Sequence, residues 1–407
     1  MKNVLLLVPT ETYRAQAFID AANNLGLSLT IASECPLPMA QRMGERAIVA
    51  SLQHPEVGAE QIESAGRTRK FDAIVSVDDS GLRTAAIASE KLGLKHISTS
   101  TTEMSQNKIA MRRKLSSAMI SQPKFQICEY GEDIAEKLSA IGNFPVIVKP
   151  ATLSGSIGVI RANSETEVLA AIPLARKIQA MHSCEIDFPI LIEEYIDGEE
   201  YAVEAIVISG KLQVLAIFDK PQPLVGPYFA ETIYVTPTSL PRQITEDLFT
   251  VLDAARKGLG IVTGPIHAEF RITAGRKIYF IELAARSIGG ACSKAVPLAG
   301  GRTIEEIILA EAVSIPPPEV TFENQASGVY MIPAQKRGRL DGITGVAAAR
   351  AVKWVTGIEL AFTAGMEVMP IPYDAKYIGF IFSKAPTAKI AARALEEAIN
   401  KLEIRIT

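Results

Sequence analysis

The sequence predicts a multidomain protein of mixed α/β and α+β class, with a parallel α/β domain first and antiparallel β-structure after it. The chain of 407 residues is too long for one ordinary core, so we expect two to four domains of roughly 100–150 residues each. Strand-like and helix-like segments alternate near the N-terminus. Strand-like runs joined by short turns follow in the middle of the chain. These three observations set the fold class.

The N-terminal segment alternates apolar strands with helices. "NVLLLVP" (3–9) and "SLTIAS" (28–33) flank a helical stretch, and "FDAIVSVDD" (71–79) precedes another, "LRTAAIASEKLGL" (82–94). Nearly all-apolar strands that alternate with helices indicate a parallel sheet covered on both faces. We therefore predict a first domain over residues 1–105. It has no GxGxxG after its first strand, which argues against dinucleotide binding there.

The rest of the chain reads as two further domains. "FPVIVKPATLSGSIGVIRANS" (144–164) predicts two strands around a Gly/Ser-rich loop, and residues 188–221 predict several antiparallel strands with "DG" and "SGK" as turns. The Pro-rich "SIPPPEV" (314–320) marks a boundary. We predict a second domain over 106–313 and a small C-terminal α/β domain over 320–407, where short strands precede a final helix.

The segment "HAEFRITAGRKIYFIELAARSIGG" (267–290) reads as a hairpin whose strands are interrupted by carboxylates. A type II′ turn with Gly275 at its first central position reverses the chain at Gly275–Arg276 and places Glu269 opposite Glu282. Two like charges that face each other across a ladder destabilise a sheet unless a cation lies between them. Hard oxygen ligands at this spacing suit Mg²⁺. The hairpin therefore predicts a metal site.

The same register places His267 opposite Ala284 and Arg271 opposite Phe280. The alternative to a metal site is that both carboxylates pair with Arg271 and Lys277 on a solvated face. Arg286 and the pair Gly289–Gly290, which follow the second strand, favour the metal. An arginine beside a metal–phosphate cluster neutralises charge in phosphoryl transfer, and adjacent glycines let backbone N–H groups approach an anion.

Two earlier segments predict a nucleotide site. Lys149 ends an apolar strand, and Ser154, Gly155 and Ser156 follow in a loop that lacks the GK[ST] of a Walker motif but offers free N–H groups to phosphates. An ordinary hairpin turn is the alternative. In "LIEEYIDGEE" (191–200) four glutamates surround a short apolar break, as is needed where backbone and carboxylates meet an adenine and a ribose. A solvated acidic turn is the alternative there.

These features occur in one order along the chain, from Lys108 and Lys149 through "EEYIDGEE" and "HAEF" to "IELAARSIGG". In that order the sequence resembles the ATP-grasp superfamily, and within it the carboxylate–amine ligases typified by bacterial L-amino acid ligases. The resemblance covers essentially the whole chain, including the C-terminal stretch 338–387. It implies a Rossmann-like N-terminal domain, an ATP-grasp domain of two antiparallel-sheet subdomains that hold ATP between them, and a small C-terminal domain.

The resemblance also implies roles for individual residues. The ATP-binding residues would be Lys108, Lys149, Ser154, Gly155, Ser156, Glu193, Glu194, Ile196 and Glu200. The two lysines would contact phosphates or adenine N7. Residues 193–196 would meet the adenine edge, partly through backbone atoms, and Glu200 would hold the ribose. Glu269 and Glu282 would bind Mg²⁺, for which Mn²⁺ can substitute, and Arg286 would stabilise the acyl-phosphate stage.

One departure from the family pattern concerns the second metal strand. The family usually has Glu-x-Asn there, whereas this chain has Glu282-Leu283-Ala284. Ala284 cannot coordinate a second Mg²⁺, so either that ion has one fewer protein ligand or the site is impaired. By the hairpin register His267 faces the gap and can fill it or lend a polar group. A histidine satisfied within the core is the alternative.

The substrate residues are predicted around "FDKPQPLVGPYFAETIYVTP" (218–237) and the end of the hairpin. Glu231 would meet a substrate ammonium group, and Lys220 a carboxylate or phosphate, as a second catalytic residue beside Arg286. Exposed loop charges are the alternative for both. The predicted substrate-binding residues are Glu231, Arg286, Gly289, Gly290 and His267.

The predicted function is an ATP-dependent carboxylate–amine ligase, of L-amino acid ligase type, that forms a dipeptide or related small amide through an acyl-phosphate and releases ADP and phosphate. One alternative is a regulatory protein that binds ATP but has lost catalysis, because of Ala284. The other is a biotin-carboxylase-like enzyme. Gly290 disfavours this alternative, because that family has a Glu that acts as a base at the corresponding position.

Composition limits the partners. The net charge of −3 offers no basic footprint for nucleic acid or an anionic membrane. No apolar run approaches the roughly 20 residues needed to span a bilayer, and the N-terminal apolar run ends too early for a signal peptide. We expect a cytoplasmic protein with small-molecule carboxylate and amine substrates. The resemblance is also compatible with a homodimer.

Overall fold

The structure, a computed structural model, describes residues 1–35, 46–182 and 189–407. Its described helices are Ala15–Asn24 (α1), Pro55–Thr68 (α2), Leu82–Leu92 (α3), Thr99–Gln106 (α4), Lys108–Ser117 (α5), Ala135–Ile141 (α6), Glu165–His182 (α7), Arg242–Leu259 (α8), Ile304–Ala312 (α9), Val346–Arg350 (α10) and Ala388–Ile399 (α11). Among these described helices, none is both long and apolar enough to cross a membrane.

The N-terminal sheet is parallel, as the alternating pattern predicts. Its strands are Asn3–Leu7 (β1), Ser28–Ser33 (β2), Ala47–Val49 (β3) and Ala73–Ser76 (β4), in the order β3-β2-β1-β4. On β1, Leu5 and Leu7 pack in one core with side chains of α2 and α3, while Val4 and Leu6 pack in another with α1 and α9. Helices on both faces explain why this strand is apolar throughout.

A small antiparallel sheet follows. Its strands are Phe125–Cys128 (β5), Val146–Pro150 (β6), Ile160–Ala162 (β7) and Ile190–Glu194 (β8), in the order β5-β8-β6-β7. Val146 and Val148 join a core with apolar side chains of α7. Because side chains alternate along a strand, Ile147 and Lys149 point to the other face, where both line a cavity.

The large sheet is antiparallel and has eight strands. They are Glu199–Ile208 (β9), Lys211–Asp219 (β10), Ile233–Thr236 (β11), Gly264–Ile272 (β12), Ile278–Ala284 (β13), Ala326–Pro333 (β14), Val355–Leu360 (β16) and Tyr377–Ala385 (β18), in the order β13-β12-β9-β10-β11-β14-β18-β16. Gly338–Thr344 (β15), Glu367–Val368 (β17) and Glu403–Ile406 (β19) form a separate sheet in the order β17-β15-β19.

The large sheet crosses the boundary expected at 314–320. Strands β9 to β13 come from the predicted second domain, whereas β14, β16 and β18 come from the C-terminal segment. Met331 of β14 and Tyr377 of β18 line the same cavity as residues of β12 and β13. The C-terminal segment therefore contributes to the site, and the limits of the three domains stay a prediction.

The β12–β13 hairpin has the predicted register at the pairs that matter for the site. Glu269 pairs with Glu282, and His267 pairs with Ala284. All four residues line the cavity, so their side chains lie on the same face of the sheet. The period-2 alternation of this segment was sufficient to predict that face.

The turn of this hairpin differs from the predicted type II′ turn. Its left-handed residue is Arg276 (φ 62°), not Gly275. The Arg276 N–H donates to the Thr273 carbonyl at 2.8 Å, and the Thr273 N–H donates to the Lys277 carbonyl at 3.1 Å. This is the pattern of a three-residue loop that ends in a left-handed residue. The loop is thus one residue longer than predicted.

A β-bulge compensates for the longer loop. The ladder shifts between Glu269 and Phe270, so Arg271 pairs with Tyr279 and not, as predicted, with Phe280. A bulge inserts one extra residue into one strand. The predicted partner of Arg271 was therefore wrong, because Arg271 lies between the longer loop and the bulge. The predicted Glu269–Glu282 pair was right, because it lies beyond the bulge, where the extra residue of the loop has been compensated.

Candidate active site

One cavity of about 280 Å³ collects the predicted site residues. It lies between the small sheet and the β12–β13 end of the large sheet, and residues 11–13 and 78–79 of the N-terminal domain close one side. The predicted site residues that line it are Lys108, Lys149, Ser154, Gly155, Ser156, Glu193, Glu194, Ile196, Glu200, Glu231, His267, Glu269, Glu282, Arg286, Gly289 and Gly290. Lys220 is the predicted site residue that does not line the cavity.

Glu193 on β8 is the buried anchor of the small-sheet wall. Its carboxylate accepts from Arg112 Nε at 2.6 Å and pairs with Lys149 Nζ at 2.7 Å, and its side chain is 2% exposed. Burial opposes its charge, but the two cations outweigh burial and hold the pKa of the Glu193 carboxyl below its ordinary value. Both oxygens of this carboxylate are therefore already bound by protein cations. An adenine beside this strand would instead be bound by the backbone of residues 193–196.

Burial also acts on Lys149. It lowers the pKa of the Lys149 ammonium, with Arg112 and Lys108 acting in the same direction and Glu193 against them. Lys149 is 4% exposed yet lines the cavity. It is a fixed cation at the end of β6, as the strand pattern predicted.

Glu200, the predicted ribose ligand, already holds two cations. It accepts from Arg271 Nε at 2.8 Å and from Lys220 Nζ at 2.7 Å. Arg271 also donates to the Ile196 carbonyl at 2.9 Å, and its guanidinium lies 5.1 Å from the ring centre of Tyr195. Arg271 thus ties β12 to the segment that was predicted to meet the nucleotide base.

The Gly/Ser loop between β6 and β7 is held against the cavity from three sides. Lys108 Nζ donates to the Leu153 carbonyl, and the Gly158 N–H donates to the Pro372 carbonyl at 2.9 Å. Gly155 has φ 63°, and a Cβ there would lie 2.8 Å from the Cβ of Ala375. The loop is therefore packed against the C-terminal segment, unlike an ordinary solvated hairpin turn.

Glu269 and Glu282 offer oxygens that fit a divalent cation. They face each other across the ladder, and their side chains are 19% and 27% exposed to the cavity. Glu269 pairs with Lys220 at 3.0 Å, and Glu282 with Lys108 at 3.2 Å. Burial opposes ionisation of Glu269, but Lys220 and His267 together outweigh it and hold the pKa of this carboxyl well below its ordinary value.

The alternative partners of these two carboxylates are engaged elsewhere. Arg271 pairs with Glu200, and the Lys277 ammonium lies 4.4 Å from the ring centre of Tyr279. The carboxylates line a cavity between two sheets and not a solvated face. With hard oxygens directed at one space, the pair suits Mg²⁺, and Ala284 beside it supplies no further ligand.

Lys220 lies behind the large-sheet wall, which corrects its predicted contact with a substrate carboxylate or phosphate. Its ammonium pairs with Glu200 at 2.7 Å, with Glu269 at 3.0 Å and with Glu231, and its side chain is 3% exposed. These three carboxylates have oxygens within 4.8 Å of one another, as in a metal site. The cation at their centre is the lysine, which organises the wall without reaching the cavity.

Glu231 is only 15% exposed, so the alternative of an exposed loop charge does not hold for either residue. Burial raises the pKa of the Glu231 carboxyl above its ordinary value, and the negative charges of Glu269 and Glu200 add to this, although Lys220 acts against them. Glu231 lines the cavity. Its contact with a substrate ammonium group stays a prediction.

His267 is both a satisfied histidine and a cavity residue. Its Nδ1 is bonded to the buried carboxylate of Glu204, and its Nε2 lies 3.5 Å from Glu269. Burial alone would lower the pKa of this imidazole, but Glu204 outweighs burial and raises it to about 9. His267 therefore lies opposite Ala284, where the family pattern would have an amide, with its Nδ1 held by Glu204.

Arg286 follows β13 and is fixed on one edge. Its Nη2 pairs with Asp79 at 2.7 Å, and its Nη1 donates to the Ser287 carbonyl at 2.9 Å. Burial opposes its charge, but Asp79 outweighs burial and raises the pKa of the guanidinium above its ordinary value. The next turn is anchored because the Ile288 N–H donates to Glu204 at 2.8 Å.

The two glycines after Arg286 differ from each other. Gly290 has φ 61°, and a Cβ there would lie 2.9 Å from Phe380, so a larger residue would be strained and crowded. A Cβ at Gly289 would meet nothing within 4 Å. Both line the cavity, but the fold requires a glycine only at Gly290.

Sequence reasoning missed three charged residues that organise the cavity. Arg112 lies one helical turn after Lys108 on α5, a spacing that places both on one helix face. Arg271 was noticed only as a partner on a solvated face. Asp79 lies far from Arg286 along the chain, and nothing in the sequence near either residue links the two.

Three family models match separate parts of the chain. The ATP-grasp N-terminal domain matches residues 19–96, the ATP-grasp domain matches 142–295, and the L-amino acid ligase C-terminal domain 2 matches 330–407. The matches follow the chain in the order that the sequence resemblance implied.

The chain is also similar to characterised enzymes. It is 28% identical over 246 residues to the alanine–anticapsin ligase of Bacillus subtilis (strain 168), covering 56% of this chain and 51% of that protein. It is 27% identical over 199 residues to the dapdiamide A synthase of Enterobacter agglomerans, covering 46% and 43%. The chain thus spans about half the length of the curated relatives it matches.

Two solved structures share the whole fold. The L-amino acid ligase from Bacillus licheniformis has a TM-score of 0.82 at 24% identity, with 100% of this chain and 99% of that chain covered. The biotin carboxylase from Campylobacter jejuni has a TM-score of 0.72 at 18% identity, with 100% and 92% covered. Domain matches, fold and cavity agree: the chain belongs to the ATP-grasp superfamily and carries the C-terminal domain of L-amino acid ligases.

Proposed function

We propose that this protein is an ATP-dependent carboxylate–amine ligase of L-amino acid ligase type, which forms a dipeptide or related small amide. The observation that carries the proposal is the opposed pair Glu269 and Glu282, which faces the cavity and is followed by Arg286. The C-terminal domain match and the similarity to the alanine–anticapsin ligases support the choice of amino acids as substrates.

The proposed reaction has two steps. The γ-phosphoryl group of ATP passes to a carboxylate oxygen of the first substrate, giving ADP and an acyl-phosphate. The nitrogen of an amine then attacks the carbonyl carbon, the bond from that carbon to the phosphate oxygen breaks, and phosphate leaves as the amine loses a proton. When bound, Mg²⁺ neutralises phosphate oxygens during the transfer.

The residues of this chain bind, orient and enclose the substrates. Lys149 and the N–H groups of the Gly/Ser loop suit the phosphates, and the backbone of residues 193–196 suits the adenine. Glu269 and Glu282 would hold Mg²⁺ or, in its place, Mn²⁺. Arg286 would act on the charge that develops at the transferred phosphoryl group, where a preorganised cation has its largest effect.

Glu231 and the glycines after Arg286 would contact the substrates. Glu231 is a carboxylate in the cavity wall and suits a substrate ammonium group. Lys220 supports this region indirectly, since it neutralises the carboxylates around it. A biotin-carboxylase-like enzyme would need a glutamate that acts as a base at the position of Gly290. The glycine therefore disfavours that reaction, although the fold is shared.

The proposed setting follows from the substrates. The reaction consumes ATP, so we expect a cytoplasmic enzyme with small-molecule substrates and without nucleic acid or a membrane as partner. A homodimer stays a prediction, and the mass of the protein in solution tests it.

A screen of amino acid pairs for phosphate release, with mass spectrometry of the products, tests the proposal. We expect ADP and phosphate to form only when a carboxylate and an amine are both present, together with a product whose mass equals their sum minus water. ATP binding without turnover for every pair would favour the regulatory alternative. Phosphate release driven by bicarbonate and biotin would favour the carboxylase.

A further inference from the structure

Asp79 occupies a fixed position at the edge of the N-terminal sheet. It begins the short turn Asp79–Gly81 that follows β4. The turn packs closely, since a Cβ at Gly81 would lie 2.5 Å from the hydroxyl of Ser76. The side-chain amide of Gln106 donates to the backbone carbonyl of Asp79 at 2.6 Å. The main chain at Asp79 is therefore held from two sides.

The carboxylate of Asp79 determines where the guanidinium of Arg286 lies. The two groups pair at 2.7 Å, and their side chains are 25% and 11% exposed. Nη1 of Arg286 is held by the Ser287 carbonyl. Nε is buried and has no hydrogen-bond partner in the described part of the chain. One edge of the guanidinium is thus fixed, while a donor remains in a side chain that lines the cavity.

Asp79 and Ser154 of the Gly/Ser loop line the same cavity. Burial opposes ionisation of the Asp79 carboxyl, but Arg286, with a smaller contribution from Ser154, holds the pKa of this carboxyl below its ordinary value. The neighbouring Leu153 carbonyl accepts from Lys108, which pairs with Glu282. One carboxylate of the N-terminal domain therefore binds the arginine that follows the metal strand and lines the cavity with the loop that suits the phosphates.

We infer that Asp79 is a positioning residue for phosphoryl transfer, which holds Arg286 in place at the reacting end of the cavity beside the Gly/Ser loop. The inference rests on the proposed function. An unrestrained arginine side chain samples many rotamers, and a fixed dipole or charge is most effective when it needs no reorganisation during the reaction. Asp79 supplies that restraint without touching the reacting atoms itself.

The test compares Asp79→Asn with Asp72→Asn. Asp72 lies just before β4, at the opposite end of that strand from Asp79. It pairs with Lys2 at 3.2 Å and accepts from the Asn3 N–H at 2.8 Å. Both variants remove one charge and keep the shape. We expect Asp79→Asn to lower kcat by roughly 10- to 100-fold, the range for a residue that orients a functional group, while KM for ATP changes only a few-fold. Asp72→Asn should leave kcat unchanged.

A double-mutant cycle shows whether Asp79 acts through Arg286. In an Arg286→Met background, Asp79→Asn should cost less than about threefold, because the interaction it removes is already absent. A full loss in that background would overturn the inference, as would equal kcat values for the Asp79 and Asp72 variants.

Thermal melting separates a loss of fold from a loss of positioning. If Asp79→Asn melts below the assay temperature, Asp79→Glu takes its place, because it keeps the charge. We expect this variant to retain kcat within about tenfold of the wild type, well above Arg286→Met, and a kcat equal to that of Arg286→Met would contradict the inference. A wild-type protein that turns over no carboxylate and amine would refute the proposed function instead.

Discussion

The two walls of the cavity hold their carboxylates in different ways. On the small-sheet wall Glu193 is 2% exposed, and Arg112 and Lys149 bind its two oxygens. On the large-sheet wall Glu282 is 27% exposed and, among the described residues, pairs with one cation, Lys108, at 3.2 Å. Both stand on strands that face the same cavity. Glu193 is therefore fixed inside its wall as a structural carboxylate, whereas Glu282 stays accessible to a cation in the cavity.

The largest effect on turnover should come from Glu282, the more exposed of the two carboxylates. Glu282→Gln removes an anionic oxygen that the metal would need, so we expect turnover to fall by at least about 10²-fold, as for the loss of one preorganised contact in the transition state. Raising Mg²⁺ should recover little. The melting temperature should stay close to that of the wild type, because the lost pair with Lys108 is partly exposed.

The control for Glu282→Gln is Glu359→Gln. Glu359 is on β16 of the same sheet, is 49% exposed and pairs with Lys294 at 2.6 Å. Its substitution should leave turnover unchanged. Near-normal turnover of Glu282→Gln would place the metal elsewhere and remove the main support of the proposed function.

The next effect concerns the arginine that follows the same wall. Arg286→Met should leave ATP affinity within a few-fold and lower turnover by roughly 10²–10³-fold, since the guanidinium acts on charge that appears during the reaction. Arg302, which pairs weakly with Glu306 at 3.5 Å and is 49% exposed, offers the matched Arg302→Met control. Equal turnover in the two variants would make Arg286 a structural partner of Asp79.

A substitution in the small-sheet wall should lower the free energy of unfolding. Glu193→Ala leaves Arg112 and Lys149 buried without their counter-charge, so we expect a loss of about 3–5 kcal/mol of unfolding free energy. Glu194→Ala, the next residue and a partly exposed one, should change it by less than about 0.5 kcal/mol. Urea unfolding measures both. Equal values for the two variants would show that Glu193 is not the anchor.

The smallest effect should come from restoring the family's usual residue. Ala284→Asn adds an amide oxygen beside Glu282, so we expect the Mg²⁺ concentration for half-maximal rate to fall a few-fold. His267, which lies opposite, must leave room for the larger side chain. A higher requirement for Mg²⁺ would show that the imidazolium already fills the gap.

The sequence predictions that were confirmed depended on local patterns. The parallel N-terminal sheet, the hairpin faces and the ATP-grasp assignment depended on alternation and on motifs in sequence order, and each was confirmed. Strand pairing between distant segments left no such signal. The continuation of the large sheet into β14, β16 and β18 was therefore not foreseen.

The ion-pair partners of the site residues could not be predicted from the sequence either. Lys220 looked like a substrate ligand because it stands in a loop-like stretch, yet the fold surrounds it with three carboxylates. Asp79 meets Arg286 only because the N-terminal sheet docks beside β13. Roles that depend on such tertiary contacts need the coordinates.

The central claim is that this chain activates a carboxylate by phosphorylation before it forms an amide. The most direct measurement uses a substrate in which both carboxylate oxygens are ¹⁸O, with mass spectrometry of the phosphate released. An acyl-phosphate route predicts that one labelled oxygen enters the phosphate for each amide formed, and that ADP is the nucleotide product. Unlabelled phosphate, or AMP with pyrophosphate, would contradict the claim.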